Sequence, residues 1–179
     1  LRCAREGAHV VVADINDVDG EATAGEAGGR FVHCDTSQPD QARAAVERTA
    51  VEYGGLDILV NCAAHLGGPH DAAAMSPSVW RDVLSVTLDG VFYCSKYAVP
   101  EMIKRGGGAI VNISSVEGMR GAESHAAYVT GKSALFGLTK SMAIDFGLDG
   151  IRVNCVSPGI IDSGRPDIER LKHDPAMMT

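Results

Sequence analysis

The sequence predicts an α/β fold built on an open, doubly wound parallel sheet. Short β-branched runs alternate with helical patterns along the chain, which is typical of sheets with right-handed crossovers. The runs are apolar at successive positions, as expected for parallel strands that are covered on both faces. Each run ends on polar residues or glycine, and ligands bind at this edge of open parallel sheets. The predicted strands are residues 9–14, 30–35, 57–63, 109–115 and 151–158.

Three helices are predicted between these strands. The first begins at Gln38–Pro39–Asp40, where proline is tolerated in the first turn, and it ends at Gly54–Gly55. The second begins at Ser76–Pro77 and ends at the glycines of residues 106–108. The third spans roughly 125–146.

The composition argues against several classes of protein. A chain of 179 residues can bury one core, and no repeat, low-complexity tract or linker divides it. We therefore expect residues 1–179 to form a single, partial domain. The net charge of −7 and the lack of a Lys/Arg cluster argue against nucleic acid and anionic membranes as partners. No apolar stretch has the length that a bilayer requires.

The five cysteines are scattered without CxxC spacing, and three of them lie in apolar runs, where cysteine behaves as a small hydrophobic residue. This pattern does not favour a disulfide framework or a zinc site. We expect a reduced, cytoplasmic protein without a bound metal.

Asp14 ends the first predicted strand. In dinucleotide-binding folds an acidic residue at this position accepts hydrogen bonds from the adenosine ribose hydroxyls, and its charge repels a 2′-phosphate. Asp14 thus predicts NAD rather than NADP as cofactor. An aspartate that serves only the turn is the alternative.

Tyr128 and Lys132 are spaced i and i+4 on the third helix, so their side chains share a face. A nearby ammonium favours the phenolate and lowers a tyrosine pKa that is normally about 10. Tyr-x-x-x-Lys alone occurs often by chance. Ser115, at the end of the strand before this helix, strengthens the interpretation, because its hydroxyl could bind a carbonyl or alcohol oxygen while the tyrosine moves a proton.

Four segments together carry a resemblance to a known family. They are Asn61–Cys62–Ala63–Ala64, Ile113–Ser114–Ser115, Tyr128-x-x-x-Lys132 and Ser157–Pro158–Gly159. In this order and spacing, the chain resembles the short-chain dehydrogenase/reductase family over essentially its whole length. The resemblance implies a Rossmann-like fold and an NAD-dependent oxidoreductase that acts on a secondary alcohol or ketone.

The resemblance also implies roles for individual residues. Tyr128 would be the acid/base, Lys132 would bind the nicotinamide ribose and lower the tyrosine pKa, and Ser115 would orient the substrate oxygen. The remaining positions would bind the cofactor. Asp14 would meet its adenosine ribose, Asp35 and Thr36 its adenine edge, and Asn61 and Ala63 the groove that holds it; Pro158, Gly159, Ile160 and Ser163 would cover its nicotinamide.

Two positions depart from the family pattern. Ala64 replaces a glycine close to the cofactor, which is tolerable if its φ stays negative. Thr87, within Val86–Thr87–Leu88, stands where the family has a catalytic asparagine that anchors a water in the proton relay. Thr87 keeps the carbonyl and a hydroxyl but loses the amide, so we expect the relay to be weakened and not abolished.

The ends of the sequence are a third departure. Residues 1–14, LRCAREGAHVVVAD, resemble the family from the end of its first helix onward, and IERLKHDPAMMT stops within what resembles the segment that covers the substrate. We expect the first strand, the Gly-rich phosphate loop and the last strand to be absent from these residues. In the strand order 3-2-1-4-5-6, this leaves the middle of the sheet unpaired.

Two functions remain open at this point. The first is an alcohol dehydrogenase or ketone reductase with a small-molecule substrate. The family resemblance implies that such an enzyme is a homotetramer formed through its two long helices. The second is a non-catalytic fragment that serves as an interaction module, favoured by the missing phosphate loop and by Thr87. Glu117 and His125 could shape the substrate pocket or belong to ordinary surface.

Overall fold

A computed structural model describes residues 1–161 of the chain. The predicted alternation of strands and helices is confirmed in this range. The strands are β1 (Val11–Asp14), β2 (Arg30–His33), β3 (Ile58–Asn61), β4 (Gly108–Ile113) and β5 (Ile151–Val156). The α-helices are α1 (Arg2–Arg5), α2 (Asp17–Glu26), α3 (Pro39–Tyr53), α4 (Pro77–Leu84), α5 (Gly90–Arg105), α6 (Glu117–Arg120) and α7 (Ala126–Phe146).

The strands form two parallel sheets that are not hydrogen-bonded to each other. β1 pairs with β2, with Val11 opposite Arg30. The second sheet has the order β3-β4-β5, with Ala109 of β4 between Ile58 and Arg152. The break falls between β1 and β3, as expected for a doubly wound sheet whose middle is unpaired.

An apolar cleft separates β1 from β3. Both strands line a cavity of about 270 Å³, together with side chains of α3 and Cys94 of α5. Ile58 and Val60 of β3 are 51% and 49% exposed. Parallel strands are normally covered on both faces, so this exposure follows from the break in the sheet.

The main core lies between the three-stranded sheet and helices α3, α5 and α7. Its buried members are apolar side chains from α3, α5, α7 and the strands β4 and β5. They are Val46, Ala98, Val99, Met102, Ile110, Met142, Ile151 and Val153. The second predicted helix supplies three of them, Ala98, Val99 and Met102, so this side of the helix faces the core.

That second helix contains a π-helical segment, Ser85–Asp89, between α4 and α5. Its start agrees with the sequence prediction, since Ser76 Oγ accepts a hydrogen bond from the Val79 N–H and Pro77 occupies the first turn. The wider π turn was not predicted. Such turns are rare and occur frequently at functional sites.

Helices α2 and α6 were not predicted from the sequence. A signal for α2 was present, because Asn16 Oδ1 accepts hydrogen bonds from the N–H groups of Val18 and Asp19 and so caps the helix. Few apolar residues mark its buried side. Its Gly20 packs so closely on Phe31 that a Cβ there would lie 2.2 Å from the ring.

Met102→Ala should lower the free energy of unfolding by about 2–5 kcal/mol, because Met102 is 0% exposed and its truncation leaves a cavity in the main core. Met119→Ala is the matched control, since Met119 is 70% exposed and the same truncation should cost less than about 0.5 kcal/mol. Urea unfolding followed by circular dichroism measures both. Equal losses in the two variants would contradict the placement of the core.

Candidate active site

A groove of about 450 Å³ follows the carboxyl ends of β1, β2 and β3. It brings together five of the predicted cofactor-binding residues from three separate strands. They are Asp14, Asp35, Thr36, Asn61 and Ala63. Convergence of strand ends at one edge is the feature that the sequence predicted for a ligand site.

Asp14 is exposed at the mouth of this groove. One carboxylate oxygen, Oδ1, accepts a hydrogen bond of 2.9 Å from the Asn16 N–H. Among the described residues, Oδ2 has no hydrogen-bond partner. Asp14 therefore stabilises its own turn and still presents an acceptor to the groove, so the turn and ligand interpretations are compatible.

Asp35 and Thr36 have structural contacts in the loop before α3. Asp35 Oδ1 accepts hydrogen bonds from the N–H and the hydroxyl of Ser37, at 2.9 and 2.7 Å. Thr36 lies against α5, where a Cβ on Gly90 would come within 2.7 Å of Thr36 Oγ1. Glycine at position 90 thus permits the loop to approach the helix.

Asn61 lines the groove, but its amide points into the protein. Its Nδ2 donates to Ser95 Oγ at 3.1 Å and to Asn112 Oδ1 at 2.9 Å. Asn112 Nδ2 in turn donates to Thr139 Oγ1 at 2.9 Å. This buried network links α5, β3, β4 and α7. Of its members, only Asn61 was predicted from the sequence. The signal for Asn112 was its position as a polar residue inside the apolar run of β4.

The φ of Ala64 is not positive, which is the condition under which an alanine is tolerable at this position. Within residues 1–161, Ser124 is the sole non-glycine residue with positive φ, at 58°. Ala64 therefore keeps an ordinary backbone conformation in the wall of the groove.

The two serines after β4 have opposite environments. The Ser114 hydroxyl is buried and donates to the Lys132 carbonyl oxygen at 2.7 Å. Ser115 is half-buried, and its Oγ accepts a hydrogen bond of 3.1 Å from the Glu117 N–H. An accepted hydrogen bond leaves the Ser115 O–H proton available for a substrate oxygen, whereas Ser114 is committed to the protein.

Tyr128 and Lys132 share one face of α7, as predicted. Lys132 Nζ lies 5.7 Å from the centre of the Tyr128 ring and donates a 2.6 Å hydrogen bond to the Ile113 carbonyl oxygen. Lys132 is 2% exposed. Burial lowers the pKa of Lys132, and the nearby thiols of Cys62 and Cys155 act in the opposite direction.

Two glycines allow α7 to approach its neighbours at this point. A Cβ on Gly131 would lie 3.0 Å from Thr87 Cγ2, and a Cβ on Gly118 would lie 2.9 Å from the Lys132 carbonyl carbon. The positions of Tyr128 and Lys132 therefore depend on small residues on either side of α7.

Thr87 is buried within the π-helical segment and holds the loop that follows β3. Its Oγ1 accepts a hydrogen bond of 3.2 Å from the His65 N–H and donates one of 3.3 Å to the His65 carbonyl. This clamp was not predicted from the sequence, because it joins two segments that are distant in the chain. The weakened proton relay at Thr87 stays a prediction.

The segment after β5 runs beside the serine turn. The Val116 N–H donates to the Pro158 carbonyl at 3.0 Å, and the Ser114 N–H donates to the Val156 carbonyl at 2.7 Å. Gly159 and Ile160 follow and are exposed. Ser163, the last of the predicted nicotinamide contacts, lies outside the described residues.

Among residues 1–161, none of the helices has the length and apolar character that crossing a membrane would take. The same part of the chain holds no cluster of three or more His, Cys, Asp or Glu side chains that could bind a metal ion.

Thr87→Val should lower the free energy of unfolding by about 1–3 kcal/mol, since it removes both hydrogen bonds that hold the His65 backbone against a buried helix. Thr130→Val is the matched control, because Thr130 Oγ1 bonds to Ala126 O on the exposed side of α7. Urea unfolding and limited proteolysis of the loop after β3 measure the effect. A Thr87→Val protein as stable and protease-resistant as the Thr130→Val control would contradict the clamp.

Comparison with known proteins gives consistent matches. A family profile described as enoyl-(acyl carrier protein) reductase matches residues 1–178. The 3-alpha-(or 20-beta)-hydroxysteroid dehydrogenase of Mycobacterium tuberculosis is 42% identical over 166 residues, which cover 90% of this chain and 63% of the relative. The 2,5-dichloro-2,5-cyclohexadiene-1,4-diol dehydrogenase of Sphingobium indicum is 41% identical over 158 residues, which cover 87% of this chain and 63% of the relative.

A solved structure extends the likeness to the fold. The structure of NAD⁺-bound xylitol dehydrogenase matches with a TM-score of 0.88 and 31% identity, over 95% of this chain and 67% of that chain. The present chain thus spans about 63% of the length of the curated relatives described above. The family profile covers nearly all of the sequence, and the fold is that of a solved dehydrogenase, so the chain belongs to the short-chain dehydrogenase/reductase family.

Proposed function

We propose that the protein transfers a hydride between NAD and a secondary alcohol or ketone, with Tyr128 as the acid/base. The observation that carries this proposal is the placement of Lys132 Nζ 5.7 Å from the Tyr128 ring, in a buried position at the end of β4. A cation held there favours the phenolate form of the tyrosine. The names of the relatives, which include dehydrogenases of hydroxysteroids and of a cyclic diol, support an alcohol substrate.

The proton chemistry follows from the hydrogen bonds of the three polar residues. In alcohol oxidation, the Tyr128 phenolate accepts the hydroxyl proton as the hydride leaves the carbon. Ser115 donates its free O–H to the same oxygen, because its Oγ is already held by the Glu117 N–H. Lys132 stabilises the phenolate before the transfer, and its fixed bond to Ile113 O prevents the ammonium from turning away.

The groove along β1, β2 and β3 fits an adenosine end of NAD. Asp14 presents a carboxylate oxygen that the described residues leave unbonded, and this oxygen would accept the ribose hydroxyls. The adenine would contact Asp35 and Thr36, and Ala63 would line the groove. Asn61 would stabilise the wall of the groove through its buried hydrogen bond to Asn112. Pro158, Gly159 and Ile160 would lie over the nicotinamide, which supplies the hydride acceptor. Lys132 would also bind the nicotinamide ribose.

We also propose a homotetramer in a reducing, cytoplasmic compartment. Phe92 on α5 and Ile144 on α7 are exposed apolar side chains on the two long helices that would form the interface.

The state of the cysteines supports the reducing compartment. All five cysteines are free, including the buried Cys34. The pKa of Cys94 is raised to about 12, chiefly by burial, which keeps this thiol protonated and unreactive.

Tyr128→Phe should lower kcat/KM by about 10²- to 10⁴-fold, because it removes the proton-transferring hydroxyl and keeps the ring. Tyr97→Phe, on α5 away from the groove, is the control and should leave kcat/KM unchanged. NADH fluorescence during oxidation of a secondary alcohol measures both, with protein expressed from the complete coding sequence. A Tyr128→Phe enzyme as active as the control would exclude Tyr128 as the acid/base. A wild-type protein that neither oxidises the alcohol nor binds NADH would favour the non-catalytic interaction module.

Asp14→Ser should weaken NADH binding and strengthen NADPH binding, which shifts the ratio of the two Kd values by about tenfold or more. The cause is the loss of both the ribose acceptor and the charge that repels a 2′-phosphate. Glu21→Ser removes an exposed carboxylate of the neighbouring α2 and serves as the control. Titration with each nucleotide gives the Kd values. An unchanged ratio in Asp14→Ser would place the adenosine elsewhere.

A further inference from the structure

We propose that Glu117 and His125 form a subsite that binds a second hydroxyl group of the substrate, so that the preferred alcohols are diols or polyols. This inference rests on the proposed function, since it assigns a substrate class to the same site. Neither residue lines the groove along β1, β2 and β3. Both lie next to the residues proposed for proton transfer.

Glu117 is tied directly to the proposed substrate-orienting serine. It begins α6 two residues after Ser115, and its backbone N–H is the group that donates to Ser115 Oγ at 3.1 Å. The carboxylate of Glu117 therefore extends from the same turn that fixes the serine hydroxyl.

His125 is tied in the same way to the proposed acid/base. It immediately precedes α7, and its ring meets the Tyr128 ring edge-on, with 6.4 Å between centroids and 67° between planes. Its Nδ1 lies 3.7 Å from Glu117 Oε2. The pair thus connects the serine turn to the tyrosine ring, beside the position of a substrate held by both.

The backbone holds both residues in place. The His70 N–H donates to the Ser124 carbonyl at 2.9 Å, and Ser124 adopts a positive φ of 58°, an uncommon conformation for a residue with a side chain. On the other side, Ser133 Oγ donates to the Gly118 carbonyl at 2.6 Å. Contacts from α7 and from the loop before α4 therefore fix the spacing of Glu117 and His125.

The polar atoms of this pair are available to a ligand. The Glu117 and His125 side chains are 33% and 30% exposed, and neither makes a side-chain hydrogen bond with the described residues, because 3.7 Å is an ion-pair distance and too long for a hydrogen bond. A carboxylate only accepts hydrogen bonds, whereas an imidazole can donate or accept. Among uncharged groups, a hydroxyl suits both, since it donates to the carboxylate and accepts from the ring.

Other polar groups suit the pair less well. A carbonyl oxygen cannot donate to the Glu117 carboxylate, and a substrate carboxylate would be repelled by it. An ammonium can donate to Glu117 but, unlike a hydroxyl, it cannot accept a hydrogen bond from the imidazole N–H. We therefore assign the subsite to a hydroxyl on the same carbon skeleton as the reacting alcohol.

The test compares cyclohexanol with cyclohexane-1,2-diol and cyclohexane-1,4-diol, using protein expressed from the complete coding sequence and NADH formation as the signal. The readout is the ratio of kcat/KM for a diol to kcat/KM for cyclohexanol. The wild type should favour at least one diol. Glu117→Gln should lower that ratio by about tenfold, mainly through the KM of the diol, because a hydrogen bond to a charged acceptor is replaced by a neutral one.

Glu123→Gln is the matched control, since it makes the same change at an exposed position of the same segment and should leave the ratio unchanged. His125→Gln tests the second partner independently and should also lower the ratio, which keeps the inference testable if Glu117→Gln folds poorly. A purely structural role of Glu117 through Ser115 would lower kcat/KM for all alcohols equally, and that result would overturn the inference. A stronger preference for 2-aminocyclohexanol than for the diols would overturn it as well.

Failure of the inference and failure of the proposed function give different results. Oxidation of the diols and of cyclohexanol that depends on Tyr128 but shows no diol preference would reject the subsite and leave the proposed function intact. No oxidation of any of these alcohols by the wild type, with no NADH binding, would reject both.

Discussion

The ammonium group of Lys132 is buried where β4 ends, and its 2.6 Å hydrogen bond to the Ile113 carbonyl joins the longest helix of the described chain to the three-stranded sheet. A buried cation is unfavourable unless it has partners, so this bond constrains α7 to one position along the strand. The Ser114 hydroxyl reinforces it from the other direction by donating to the Lys132 carbonyl. Tyr128, one turn earlier on α7, is placed by the same two contacts.

Close packing around this bond requires glycine on both sides of α7. Gly131 faces Thr87 of the π-helical segment, and Gly118 faces the Lys132 backbone. A side chain at position 131 would crowd Thr87, and one at position 118 would crowd the Lys132 backbone. The chemistry proposed for Tyr128 therefore depends on the packing of residues that never contact a substrate.

The break in the sheet divides the molecule into parts with different support. Strands β3, β4 and β5 carry the main core and the buried network of Asn61 and Asn112, which link strands to helices on several sides. Strands β1 and β2 have a smaller core of Val32, Cys34 and Ala45. The proton-transfer residues belong to the first part, whereas Asp14, which would select the cofactor, belongs to the second. The core that positions Tyr128 is therefore larger than the core that positions Asp14.

The sequence by itself determined the order of the elements and the residues at their ends. Continuous apolar runs identified the five strands of residues 1–161, and Pro39, Pro77 and Gly106 marked helix limits, because these signals act within a few residues of chain. Helix α2 was missed despite its local cap at Asn16, because its side towards β2 consists of small residues such as Gly20 and Ala24 and carries little periodicity. Tertiary structure decided which polar atoms remain available: it turned the Asn61 amide inward, committed Ser114 and left Ser115 open, used Thr87 to hold His65, and brought Glu117 to His125. Each of these outcomes depends on contacts between residues that are far apart in the chain or on opposite sides of a turn, and local sequence patterns contain no information about such contacts.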